Sequence, residues 1–223
     1  MNQTWLHQNN TEKLILFFNG WGCDEHPFEH LQSANYDVLM LNDYRDLTFP
    51  EEAFNAVHAY REVHVLAWSF GVWVAQCVLM PLKDQIHSAI AINGTFQPVS
   101  AQYGIPEPII LGTLTNLSAR NLEKFQRRML HGAADWQRFD AIMPQRELDE
   151  VENELFLLTQ HFQVGKMKEG FYTQAIIGTD DRIIPTANQK AFWAGRVPII
   201  ELEQGHFCFF AFSSWDEVLT VTD

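Results

Sequence analysis

The 223-residue sequence predicts an α/β fold: a mostly parallel sheet with helices on both faces and a helical cap over the sheet's carboxyl edge. Three observations carry this expectation. Short apolar runs alternate along the chain with stretches of helical periodicity, the pattern of strands buried on both faces. One such run, at 63–66, passes through Ala67-Trp68-Ser69-Phe70-Gly71 directly into a helical stretch at 72–79. Between about 97 and 164 the strand signals stop, while helical periodicity continues with few breaks.

Taken in order, residues 13–18 (KLILFF) read as a strand ended by the sharp loop Asn19-Gly20-Trp21-Gly22. Residues 27–32 predict a short helix, 37–41 (DVLML) a second strand, and 51–60 a helix leading to the strand at 63–66. Residues 88–92 (SAIAI) form another strand, stopped by Asn93-Gly94. Strands resume at 172–177 and 197–202, and helices follow them at 186–193 and 213–220. No repeat, low-complexity tract or linker interrupts the chain. The expected organisation is a single domain over 1–223 with a helical cap insertion at roughly 97–164.

Composition narrows the function classes. A 47% hydrophobic and 13% aromatic chain builds a packed core and does not stay disordered. A net charge of −13 argues against nucleic acid or an anionic membrane as the main partner. Cys23, Cys77 and Cys208 are odd in number and lack metal-ligand spacing. A reducing setting and no metal or other cofactor are therefore expected. The first thirteen residues lack a basic start and apolar stretch, and no apolar run nears the roughly 20 residues that span a bilayer. The expectation is a cytoplasmic protein, and a monomer.

The chemistry centres on Ser69. A serine held between a strand and a helix, with small residues two before and two after, has the layout of a nucleophile elbow. Ala67 and Gly71 are those flanks, where strand and helix backbones nearly touch. His206, in Glu203-Gln204-Gly205-His206-Phe207 after the final predicted strand, is placed to act as base. A carboxylate must fix its tautomer, and two adjacent ones follow the strand ending at Gly178. Asp181 is preferred over Asp180 because Asp-x-apolar-apolar-Pro carries the chain into the next helix. The chain order Ser69, Asp181, His206 is that of the α/β-hydrolase triad. For the developing oxyanion, the expected donors are the backbone N–H of Phe70, at a helix start, and that of Trp21, in the glycine-flanked loop.

Several segments together resemble a known family. Gly20-Trp21-Gly22, residues 67–75, Asn93-Gly94-Thr95 and Tyr103-Gly104-Ile105-Pro106 resemble the BioG-type pimeloyl-acyl-carrier-protein methyl ester esterases. So do Gly112-Thr113-Leu114, Phe125-Gln126-Arg127-Arg128, Pro185-Thr186-Ala187-Asn188-Gln189 and Glu203-Gln204-Gly205-His206. The resemblance covers nearly the whole chain in order. It implies a cytoplasmic enzyme of biotin synthesis that hydrolyses the methyl ester of pimeloyl-acyl-carrier protein and releases methanol. It also implies Ser69 as nucleophile, His206 as base and then acid, Asp181 as its orienter, and Trp21 and Phe70 as oxyanion donors.

The cap bears on the partner. Residues 112–146 carry a net charge of +3 within this acidic chain. Arg120, Lys124, Arg127, Arg128 and His131 fall on one stripe of a helix, opposite Leu122, Phe125 and Met129. That stripe is either a docking surface for an acidic acyl carrier bearing a methyl-pimeloyl chain, or a solvated helix face. Phe125, Met129, Trp136 and Phe139 either line an acyl channel or belong to the core. The acidic helix at 147–158 reads as a solvated face, and Asp43-Tyr44-Arg45-Asp46 as a turn and helix cap. Two other functions fit the residues alone: a general carboxylesterase or thioesterase on small acyl substrates, and a non-catalytic acyl-carrier-binding protein.

Overall fold

The computed structural model describes residues 1–162 and 170–221. Seven strands form one sheet: β1 (Asn2–His7), β2 (Lys13–Phe18), β3 (Asp37–Asn42), β4 (Glu62–Trp68), β5 (Ser88–Ile92), β6 (Gln174–Gly178) and β7 (Ile199–Leu202). Their order is β1-β3-β2-β4-β5-β6-β7. All neighbours run parallel except the edge strand β1, which pairs antiparallel with β3. Sequence reading missed β1. Its residues NQTWLH offer no continuous apolar run, and none of them is fully buried.

The strands fit their positions. In β2, Leu14 to Phe18 are inaccessible to solvent, as a central parallel strand requires. Successive side chains point to opposite faces. Phe17 packs against Trp215 and Phe28 at centroid distances of 4.7 and 4.9 Å, and Phe18 stacks with Phe49 at 6.4 Å. Eight α-helices connect and flank the strands among the described residues. Two surround the central crossover: α1 (Glu51–Ala59) and α2 (Phe70–Leu79). Four fill the segment between β5 and β6: α3 (Glu107–Thr115), α4 (Ala119–Met129), α5 (Ala133–Asp140) and α6 (Leu148–His161). The last are α7 (Thr186–Trp193) and α8 (Trp215–Thr220). The expected helix at 27–32 is a single tight turn, His26–Phe28, which ends as Phe28 and Leu31 turn into the core. Positions 163 and 164 of the expected cap lie outside the described residues. No described helix is long and apolar enough to cross a membrane.

This topology fixes where a site can form. The loops after β2, β4, β6 and β7 all open at the carboxyl edge of the sheet, the edge at which open parallel sheets bind ligands.

Candidate active site

The turn after β4 is strained by design. Ser69 sits at φ 58°, ψ −124°, a region that L-residues avoid, between Trp68 and the first turn of α2. The surroundings hold it there: Ser69 N–H donates to Ile92 O at 2.9 Å, and Val72 N–H to Ser69 O at 3.1 Å. Gly71 has no room for a side chain, since a Cβ there would lie 2.3 Å from Phe18 O and 2.5 Å from Asn19 O. That close approach is the physical content of the small flank in the elbow pattern.

Three distant side chains meet at this point. His206 Nε2 lies 2.9 Å from Ser69 Oγ, and His206 Nδ1 lies 2.8 Å from Asp181 Oδ2. All three residues are buried. Asp181 as a carboxylate only accepts, so a neutral His206 carries its proton on Nδ1 and turns the free Nε2 pair toward Ser69. Asp181 is itself held by Gln189 Nε2 at 2.8 Å and by the backbone N–H groups of Ile183 and Ile184 at 2.8 and 3.0 Å. Asp180 points elsewhere, pairing with Arg182 at 2.9 Å and His131 at 3.5 Å near the surface.

Two side chains missed in the sequence brace this constellation. Asn93, at φ 45°, donates through Nδ2 to His206 O (2.8 Å) and Gly205 O (3.1 Å). Its Oδ1 accepts from Gly178 N–H at 2.6 Å, so one amide joins the loops carrying His206 and Asp181. Gln189 anchors the carboxylate from α7. Both lay within segments already quoted, but nothing in residue type marked them as inward-facing.

Trp21 and Phe70 line one cleft with Ser69, and among the described residues neither backbone N–H has a hydrogen-bond acceptor. That cleft encloses about 550 Å³ including its mouth, and its walls are mostly apolar: Trp21, Ile105, Ile110, Met129 and Leu155 among them. Residues of α3, α4 and α6 form its outer side. Phe125 and Met129 line it, whereas Phe139 is buried in the core and Trp136 lies under Arg127. No cysteine competes as nucleophile: burial pushes the Cys77 and Cys208 thiols up to about 12, and the Cys23 thiol higher.

The basic stripe divides on inspection. Arg120, Lys124, Arg127, Arg128 and His131 are all exposed. Arg128 lines the cleft and, with Lys124, an adjoining groove between α3 and α4. Arg127 is engaged locally, pairing with Glu123 at 2.8 Å and stacking 4.0 Å over Trp136. Arg146 is turned inward onto Glu154 and Asp43, so its charge is not available at the surface. The solvated reading of the acidic helix also needs correction: Glu154 is fully buried, while Asp43 and Tyr44 are buried parts of the same network and not simply a turn.

The parallel sheet with its elbow, histidine and carboxylate defines a hydrolase of the α/β-hydrolase fold. Consistent with the fold, BpoC from Mycobacterium tuberculosis H37Rv, described as a putative non-heme bromoperoxidase, superposes with a TM-score of 0.69 at 13% identity, covering 98% of this chain and 92% of that one. The chain belongs to the BioG family: the family model "Pimeloyl-ACP methyl esterase BioG" matches residues 1–218. The crystal structure of BioG from Haemophilus influenzae is similar at TM-score 0.87 and 35% identity, covering 97% of this chain and 98% of that one. A Bacteroides fragilis (strain 638R) protein named malonyl-[acyl-carrier protein] O-methyltransferase is 38% identical over 182 residues, 82% of this chain. The matched part is 36% of that relative's length.

Proposed function

We propose that this protein is a serine esterase that hydrolyses the methyl ester of pimeloyl-[acyl-carrier protein] to the free acid and methanol. The reading treats the chain as one domain with α3 to α6 as its cap. The observation that carries it is the relay of 2.9 and 2.8 Å from Ser69 through His206 to Asp181, in a cleft also lined by Trp21 and Phe70, whose amides have no acceptor among the described residues. Ser69 Oγ attacks the ester carbonyl as its proton passes to His206 Nε2, and Asp181 stabilises the imidazolium. The carbonyl oxygen becomes an anion held by the Trp21 and Phe70 N–H groups. Collapse expels methoxide, which takes the proton from His206 and leaves as methanol. Water, deprotonated by His206, then attacks the acyl-enzyme and releases the carboxylate with Ser69 restored.

The apolar cleft suits a linear acyl chain. Family membership supports an acyl-carrier protein as the partner, and the exposed cations at the rim suit its acidic surface and the phosphate of its arm. Lys124 and Arg128 are the contacts best placed for this, with Arg127 as a support for Trp136. Mass spectrometry of methyl-pimeloyl-carrier after incubation tests the reading: the acyl group loses its methyl while remaining attached to the carrier. Release of the whole acyl chain would instead favour a thioesterase.

A further inference from the structure

The loop that supplies the Trp21 amide is clamped from both ends. On one side, Asn19 Oδ1 accepts from Gly20 N–H at 2.7 Å, and the Tyr44 hydroxyl donates to Asn19 O at 2.8 Å. On the other, the peptide after Trp21 is held by a side chain from α6: Gly22 N–H donates to Glu154 Oε2 at 3.2 Å. Trp21 Nε1–H donates to Val151 O, one helical turn before Glu154, at 2.8 Å. Gly22 lies at φ +72°, and a Cβ there would meet Val151 at 3.2 Å, so helix and loop are in close contact. The peptide between the two clamps carries the Trp21 N–H, which has no acceptor among the described residues.

Glu154 also accepts from Tyr44 N–H at 2.9 Å and from Arg146, whose other terminal nitrogen lies 3.2 Å from Asp43 Oδ1. Asp43 is bound in turn by Arg45, which reaches Glu150 at 3.1 Å. Burial pushes the Glu154 carboxyl above the ordinary range, with Arg146 and the two backbone N–H groups pulling against it. A buried ion pair of this kind contributes little net stability over apolar packing. Arg146 has a second effect. It offsets a carboxylate that would otherwise oppose the negative charge forming at the neighbouring Trp21 amide.

We propose that Glu154 is a positioning residue for catalysis: by holding the Gly22 amide it fixes the oxyanion loop, and with Arg146 it couples that loop to helix α6. The proposal rests on the reading of Trp21 as an oxyanion donor. Glu154→Gln tests it with little change of shape. One amide oxygen cannot serve both Oε positions: kept on Gly22 N–H and Arg146, it turns the new NH2 against Tyr44 N–H, and that donor–donor clash pushes the side chain and the Gly22 amide it holds out of place. Because displacing a loop by about 1 Å costs on the order of 10²-fold, kcat on a short p-nitrophenyl ester should fall about 10- to 100-fold with KM unchanged. Affinity for an alkyl trifluoromethyl ketone, whose serine adduct places an oxyanion in the same position, should fall by a similar factor. Glu154→Asp keeps the charge for Arg146 but cannot reach Gly22, and should show the same split if Glu154→Gln folds poorly. Arg45→Gln, at the far end of the network, should lower the melting temperature and leave kcat unchanged. With active sites counted by fluorophosphonate labelling, kcat and ketone affinity within twofold of wild type in both Glu154 variants would overturn the proposal. Failure of the wild-type protein itself to label would instead remove the serine reading on which it rests.

Discussion

Asp181→Asn should nearly abolish turnover while leaving Ser69, His206 and the fold in place. The carboxylate has two unequal ends. Oδ1 accepts two backbone N–H groups, at 2.8 and 3.0 Å, that cannot move without unwinding the chain before α7. Oδ2 accepts from His206 Nδ1 and Gln189 Nε2, both at 2.8 Å. An asparagine must therefore keep its oxygen at the first position and put its NH2 at the second. The Gln189 side chain, whose Oε1 is buried with no partner among the described residues, can rotate to meet it by giving up the bond from its Nε2 to Ile184 O. The new NH2 then donates to Nδ1, which forces the proton onto Nε2. In that tautomer the imidazole donates to Ser69 Oγ and cannot accept its proton. Loss of this tautomer control costs about 10⁴-fold in kcat, equivalent to about 5.5 kcal/mol of barrier. Steady-state kinetics on a short ester, with folding followed by circular dichroism, give the readout. Asp180→Asn is the internal control, since among the described residues the Asp180 carboxylate pairs with Arg182 and His131, away from His206, and its kcat should match wild type. A kcat for Asp181→Asn within tenfold of wild type would refute the reasoning.

The remaining predictions concern the elbow and the rim. Gly71→Ala drives a Cβ into the carbonyls of Phe18 and Asn19, an overpacking that costs about 1–3 kcal/mol; the melting temperature, which falls about 2–4 °C per kcal/mol at this chain length, should drop by several degrees, and an unchanged value would contradict the close approach. Lys124→Glu with Arg128→Glu should slow hydrolysis of the carrier-bound methyl ester far more than that of a free short methyl ester. The gap should narrow in high salt as charges are screened, and equal losses on both substrates would count against docking at this rim.

The sheet was readable because its strands are continuous apolar runs, and burial on both faces leaves no other pattern to choose. The elbow was readable because the close approach at Gly71 and the tight packing of the strand against α2 restrict residue types. Discrimination between Asp180 and Asp181 rested on the apolar pair after Asp181, and Ile183 and Ile184 do supply the N–H groups that hold it. Elsewhere the signal was weak or misleading. β1 is a half-buried edge strand whose polar residues resemble a frayed terminus. Glu154 sits in a helix with three other acids at 149–152, which masks that it shares a face with Val151, Leu155 and Leu158. Spacing of three and four residues from those apolar neighbours was the available clue that it faces inward. Arg146 had none, because Asp43 lies far back in the chain and Glu154 sits on the helix that follows, so no local pattern links the three. On α4, pattern alone did not separate Phe125 and Met129, which reach the cleft, from Trp136 and Phe139 on the next helix, which do not.

The account depends on Ser69 being a nucleophile activated by His206, and labelling with a fluorophosphonate followed by peptide mapping tests that most directly. The expected result is a single adduct on Ser69, absent in Ser69→Ala and formed far more slowly in His206→Gln, with both variants folded. Absence of labelling in the folded wild-type protein, or an adduct at any other residue, would contradict it.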